Sequence, residues 1–295
     1  MSLLREYAAG MRWGEGPRWH EGALWLSDTQ GSRLWTDASG SWTPTDTSPV
    51  SNGLWFLPDG RLVGALMSAH RLGVWTGSGW SPYADLGHLG VGPLGDVVGD
   101  DAGNLYVDDV GFDAARGEAP RPGRIILVRP DGTASVAAEQ VEFPNGMALV
   151  DGGRTLVVAE TLRQRLVAFT VGEDGLLGAP RPYADIAALA GPDARPDGIW
   201  PAAGGGVWAA TTSGCRVVRV RDGELVESID TSPELPIACC LDGGGDLLVT
   251  LADTGGRPLM EAIAAQKVRT RVVLAPLRAA PRPHVHRIEE QEEPA

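Results

Sequence analysis

At 295 residues the chain has the length of two average domains or of one symmetric all-β domain. Apolar residues make up 43% and include 10 Trp, which excludes disorder, while 40 Gly and 22 Pro are dispersed and imply many short elements separated by turns. With 25 basic and 38 acidic side chains the net charge is -13, which disfavours a grip on phosphate backbones and argues against nucleic acid as a partner.

The chain opens with MSLLREYAAG, in which Arg5 and Glu6 interrupt the apolar run that a secretory leader needs. No later segment approaches the roughly 20 apolar residues of a membrane helix, so a cytoplasmic protein with no membrane contact is expected. Six related segments then follow one another: GEGPRW from Gly14, SNGLWF from Ser51, LGDVV from Leu94, PNGMAL from Pro144, PDGIW from Pro196 and PIACCL from Pro236. With Glu15, Asn52, Gly95, Asn145, Asp197 and Ile237 as equivalent positions, the spacings are 37, 43, 50, 52 and 40 residues, the range of propeller blades. Each unit runs as a short apolar strand, a turn and an alternating strand, as in GLWFL, PDG, RLVGAL. Only DIAALA near Asp185 and LMEAIAAQKV near Leu259 have helical character, which argues against a parallel α/β fold, and a β-sandwich gives no reason for one motif to return six times.

The predicted fold is therefore an all-β, six-bladed β-propeller with four-stranded antiparallel blades around a central channel. It forms a single domain over residues 1–283, followed by a mobile acidic tail over 284–295, in which His284 and His286 could take up a stray metal ion. Blade 6 lacks an outer strand unless KVRTRVVLA or the N-terminal LLREYA supplies it, and the N-terminal segment is preferred because joining the chain ends in one blade removes exposed edges. Cys215, Cys239 and Cys240, an odd number with one adjacent pair, make a poor disulfide framework and read as small core residues.

In a propeller the residue opening each innermost strand faces the axis, so six equivalent positions form a ring. Here it reads Glu15, Asn52, Gly95, Asn145, Asp197 and then Ile237 or Ala238. Four members carry hard oxygen donors with a formal charge of -2, which a divalent cation would balance. The Asn-Gly and Asp-Gly dipeptides could alternatively be shaping turns. Glu15 favours the ion, because Glu is no turn former and a buried carboxylate needs a cationic partner, for which no ring position offers Lys or Arg.

EGPRW, PNGMAL and RPDGIW, together with GDVVGDDAGNLYV and the closing ACCLDGG, resemble the family of regucalcin (senescence marker protein), gluconolactonase and related lactone hydrolases, from about Glu15 to Thr250. The resemblance implies an axial divalent ion, calcium first and Zn, Mn, Mg or Fe as alternatives, held by Glu15, Asn145 and Asp197. It also implies hydrolysis of a small lactone or ester, with polarisation of the carbonyl by the ion and Asp197 as both ligand and catalytic base. Coordination would weaken Asp197 as a base, so the attacking water could instead owe its ionisation to the ion. The chain departs from the family in reading PLGD where a basic residue and Asn-Asp are usual. Gly95 thus replaces a third-blade Asn, and the register of Asp96 points it elsewhere. Either three protein ligands suffice or Asn52 supplies another, and a less hydroxylated substrate than gluconolactone becomes an alternative.

Four residues after second strands face the same opening and are substrate-binding candidates: His70, Asp109, Glu160 and Thr212. Asp28 and Asp253 share that placement, and most of these carboxylates and hydroxyls could simply hold loops. No nucleophile elbow, metalloprotease helix motif or P-loop is present. Besides a lactonase acting on a small molecule, two readings remain: a phosphotriester hydrolase on the same metal site, and a metal-free, non-catalytic ligand-binding propeller. Oligomeric state is not set by the sequence.

Overall fold

The computed structural model describes residues 4–113 and 116–277, so the expected tail, with His284 and His286, and the boundary at 283 lie outside the described residues. Six four-stranded antiparallel sheets form a ring, five of them following chain order outward from an innermost strand and the sixth taking its outermost strand from the start of the chain. The innermost strands are Gly14–His20, Ser51–Phe56, Leu94–Gly99, Pro144–Val150, Pro196–Pro201 and Leu235–Leu241. Among the described residues the α-helices are short, Ile186–Ala190 and Leu259–Ala264, and each sits in a connection between strands. Among the described residues no helix is long and apolar enough to cross a membrane.

The second strand of each blade is covered on both faces, and its alternation serves two neighbours at once. In Thr155–Glu160 of blade 4, Leu156 and Val158 pack towards blade 3 while Val157 and Ala159 pack towards blade 5. Repetition of this arrangement places a hydrophobic cluster between every pair of adjacent blades. That continuity holds the six innermost strands, and whatever they carry, in fixed relation.

The sixth blade is completed from both ends of the chain. Arg269–Ala275 supplies its third strand, and Arg5–Met11 pairs with it as the outermost strand, from Arg5 opposite Leu274 to Met11 opposite Thr270 with two register shifts between. No disulfide is involved; all three cysteines are free. Cys239 and Cys240 are buried as expected, whereas Cys215 is only half-buried in a turn at φ 49°, because it links two strands instead of filling the core. Deleting residues 1–8 uncovers the edge of Arg269–Ala275 and removes buried Ala8. A loss of even about 2 kcal/mol would lower the melting temperature by roughly 4–8 °C, and an unchanged melting temperature would show that the outer strand contributes nothing to closure.

Every innermost strand carries a one-residue register shift, at the ring position in five blades and directly after Glu15 in blade 1. In blade 4 Pro144 faces Glu160 and Met147 faces Val158, so three steps on one strand match two on the other. Such a bulge turns the extra side chain out of the strand's alternation, here towards the axis. The Asn-Gly and Asp-Gly dipeptides are therefore strand bulges and not hairpin turns. Gly146 is needed for space: a Cβ there would stand 2.4 Å from the Asp197 carbonyl oxygen of the next blade.

Candidate active site

Three innermost strands bring polar side chains of distant sequence close enough to act on one another. Glu15 comes from blade 1, Asn145 from blade 4 and Asp197 from blade 5. The Glu15 carboxyl accepts a hydrogen bond from Trp13 Nε1 at 2.7 Å. The protein packed around that carboxyl, and then the negative charge of Asp197, hold it well above the usual carboxylate range. Asp197 is only 6% exposed, and burial pushes its pKa up to about 7, with the Thr212 and Asn145 side chains pulling the other way.

The partners of Asp197 account for half of its carboxylate. Thr212 Oγ1 donates to Oδ2 at 3.0 Å. Asn145 lies close enough to act on the carboxyl, but its Nδ2 is aligned with Thr161 Oγ1 at 3.3 Å, and Asp197 Oδ1 is left buried with no hydrogen-bond partner. An unsatisfied buried carboxylate oxygen is costly and calls for a ligand. Among the described residues, none of the ion pairs involves Glu15 or Asp197. Two enclosed carboxylates with no cation against them, beside an amide, form an all-oxygen donor set that fits a hard divalent ion. No group of three His, Cys, Asp or Glu able to hold a metal occurs among the described residues, so a nitrogen- or sulfur-rich site is not in view.

Deeper along the channel, Arg18 crosses from blade 1 to blade 3. It is 4% exposed, and its Nη2 donates to Asp96 Oδ1 and to the Val97 carbonyl, each at 2.9 Å. Its guanidinium also lies 5.4 Å from the Trp55 ring and 5.1 Å from the Trp200 ring. The register of Asp96 thus turns it to Arg18, and the axis does contain a cation, three residues beyond the ring position of blade 1. Two other concavities, of about 430 and 450 Å³, lie away from the axis, against residues 136–139 and beside Arg271, and neither gathers these carboxylates.

The description "SMP-30/Gluconolactonase/LRE-like region" matches residues 13–253, from the Trp that holds Glu15 to the end of the last second strand. The chain belongs to this SMP-30/gluconolactonase/LRE-like family. Its fold is shared with a luciferin-regenerating enzyme, at TM-score 0.79 and 17% identity over 94% of this chain and 96% of that one. It is also shared with regucalcin, a calcium-binding protein from Agrobacterium tumefaciens, at TM-score 0.72 and 21% identity over 92% and 95% of the two chains. A gluconolactonase from Xanthomonas campestris aligns at TM-score 0.68 and 20% identity over 92% and 88%.

Within this member of the family the other site candidates divide. Asn52 stands at the bulge of blade 2, part-buried, and among the described residues its amide makes no hydrogen bond. His70, at φ 52°, has Nδ1 3.1 Å from the Gly92 carbonyl, at the rim of the opening. Asp109 and Glu160 are turned to loop-holding. Asp109 Oδ1 accepts from the Gly92 and Gly111 N–H groups and Oδ2 takes Arg124. Glu160 accepts from the Glu142 N–H at 2.7 Å and pairs with Arg165. Asp28 likewise accepts from Arg12 and Trp13, because a residue ending a second strand faces the N–H groups that precede the innermost strand. Asp253 accepts from Gly255 N at 2.8 Å.

Thr161 is a site residue that only the structure exposes. Its hydroxyl accepts from Asn145 and donates to the Pro196 carbonyl at 2.8 Å, tying the blade 4 bulge to blade 5. The recurrence of ET at 160–161 and TT at 211–212 is the sequence signal that marks it.

Proposed function

We propose that this chain is a metal-dependent hydrolase that opens a small lactone or related ester at the axial site. The observation that carries the reading is Asp197 Oδ1, buried and without a partner beside a second carboxylate that also lacks a cation. Membership of the family supports it, as do fold relatives that include a gluconolactonase and a calcium-binding protein. Glu15, Asn145 and Asp197 would hold the ion, with Asn52 as a further donor from blade 2 and calcium as the first candidate for an all-oxygen site. A divalent ion bound there would polarise the substrate carbonyl and offset the charge that hydrolysis builds on its oxygen.

The remaining chemistry belongs to the chain. The Thr212 hydroxyl pins Asp197 Oδ2 at 3.0 Å and fixes the plane of the carboxylate, which leaves Oδ1, buried and without a partner, as the oxygen free to act. Asp197 accepts the proton of the attacking water and returns it to the ring oxygen as the carbon–oxygen bond breaks. Thr161 holds Asn145, and Trp13 holds Glu15, so both donors are oriented before substrate arrives. Purified protein presented with a panel of γ- and δ-lactones should hydrolyse at least one, lose that activity in chelator and regain it with calcium or another divalent ion. Activity indifferent to chelator would contradict the metal, and a panel left intact would contradict the function.

A further inference from the structure

In five blades the carbonyl two residues before the ring position accepts the N–H of the residue just past the second strand. The pairs are Trp13 with Thr29 (2.9 Å), Val50 with Met67 (3.1 Å), Pro93 with Val110 (3.1 Å), Phe143 with Thr161 (3.3 Å) and Arg195 with Thr212 (2.9 Å). One shared backbone bond makes these pairs equivalent, so they form a collar lying directly on the ring. On blades 4 and 5 the collar is polar where it meets the ring: the Thr161 and Thr212 hydroxyls touch Asn145 and Asp197. On blade 1, Trp13 turns its indole N–H to Glu15.

The same positions on blades 2 and 3 hold Val50, Met67, Pro93 and Val110, and all four are only partly buried. They are contiguous, since the Met67 carbonyl also accepts from Leu94 N at 3.1 Å and joins the two blades at this level. The ring beneath them is reduced as well. Gly95 has no side chain, and the place of its Cβ is taken by Asp108, whose Oδ1 would stand 2.4 Å from it. Asp108 is fully buried and accepts from the Gly95 and Asp96 N–H groups at 2.6 and 2.9 Å, so its carboxyl is turned to the backbone and away from the opening. The mouth of the channel therefore has a reactive half, on blades 1, 4 and 5, and an apolar half, on blades 2 and 3, with Asn52 alone at ring level below it.

We propose that the substrate carries an apolar substituent seated against Val50, Met67, Pro93 and Val110 while its ester group faces Asp197, which makes it an alkyl-substituted lactone and not a polyhydroxylated one. The lactone part of this statement rests on the hydrolytic reading above; the apolar seat does not. Hydroxyls directed at blades 2 and 3 would find Asn52 at ring level and the His70 ring at the rim, whose Nδ1 is already engaged with the Gly92 carbonyl, and unpaired polar groups in a site discriminate strongly against a ligand.

Two series separate the seat from the chemistry. In γ-lactones bearing methyl to hexyl chains, kcat/KM of the full chain with calcium should rise roughly fourfold per added methylene until the seat is filled, and glucono-δ-lactone should fall below the hexyl compound. In 2-alkylcyclopentanones, which cannot be hydrolysed, affinity measured by Trp fluorescence should tighten with chain length in the same way. Met67→Ser and Val110→Ser should flatten both slopes. Slopes that are flat in the unmodified protein overturn the apolar seat, even if lactones are hydrolysed. Ketones that tighten with chain length while no lactone is turned over would support the seat and overturn the hydrolytic reading.

Discussion

Asp197→Asn should lose about 10² to 10⁴ in kcat with the ion saturating, the usual contribution of a general base, while keeping an oxygen that can still face the ion. Asn145→Ala should fail differently. Its side chain takes no proton, so its loss weakens the hold on the ion, and activity should return as calcium is raised because mass action offsets a weaker site. Thr212, whose hydroxyl meets Asp197 Oδ2 at 3.0 Å, keeps the substituted amide near the plane of the native carboxylate, so the comparison is not confounded by a displaced side chain. Both variants are read as kcat against calcium concentration, with bound metal measured in parallel. If Asp197→Asn turns over near-normally when its ion is bound, Asp197 is not the base.

Arg18→Met should be strongly destabilising. The substitution leaves Asp96 in the channel without its cation, with side-chain exposures of 5% for Arg18 and 12% for Asp96 in the native pair. It also strips the Val97 and Pro17 carbonyls of a donor and removes a guanidinium that lies over the Trp55 and Trp200 rings. Breaking a buried pair by removing one partner costs about 3–5 kcal/mol, which is on the order of 10 °C in melting temperature for a chain of this size. Arg18→Lys should recover little, since a point charge replaces neither the planar stacking nor the two-way donation. Adding Asp96→Asn to Arg18→Met should recover a measurable part, because the residual penalty is the uncompensated carboxylate. A single variant that melts within about 2 °C of the native protein, a shift worth only about 1 kcal/mol in a chain of this size, would show that the channel pair is dispensable.

The propeller is readable because its blades repeat a short pattern at the ring position, and spacings of 37 to 52 residues leave few other architectures. Outer-strand closure by the N-terminal segment is readable for the same reason, as a blade short of a strand. The bulges are hidden in plain residues: Asn-Gly and Asp-Gly look like turns until strand register shows that they interrupt innermost strands. Arg18 cannot be read at all, since Asp96 is 78 positions away in sequence and meets it only across the closed ring. Asp109 and Glu160 fall on the expected face, but the backbone N–H groups of Gly92 and Glu142 claim them, a pairing that depends on how each blade meets the loop before it. The Gly95 departure carries more than a missing ligand, because it is matched by Asp108 from the neighbouring strand, and that exchange shows only when the side chain of one fills the space of the other.

Calorimetric titration of chelator-treated protein with calcium tests the central claim most directly. The folded-state pKa of Asp197 is raised, to about 7, and that of Glu15 is raised well above the carboxylate range, so the ion-free site holds protons near neutral pH that an unfolded chain would have lost. An ion needs both carboxylates charged and must displace those protons. One ion should bind per chain, with proton release detectable as a dependence of the heat on buffer ionisation enthalpy at about pH 6.5 to 7, and with weaker binding as pH falls. Asp197→Ala should abolish the signal. No binding by any divalent ion, or binding of equal strength in Asp197→Ala, would contradict the assignment of Glu15, Asn145 and Asp197 as a metal centre.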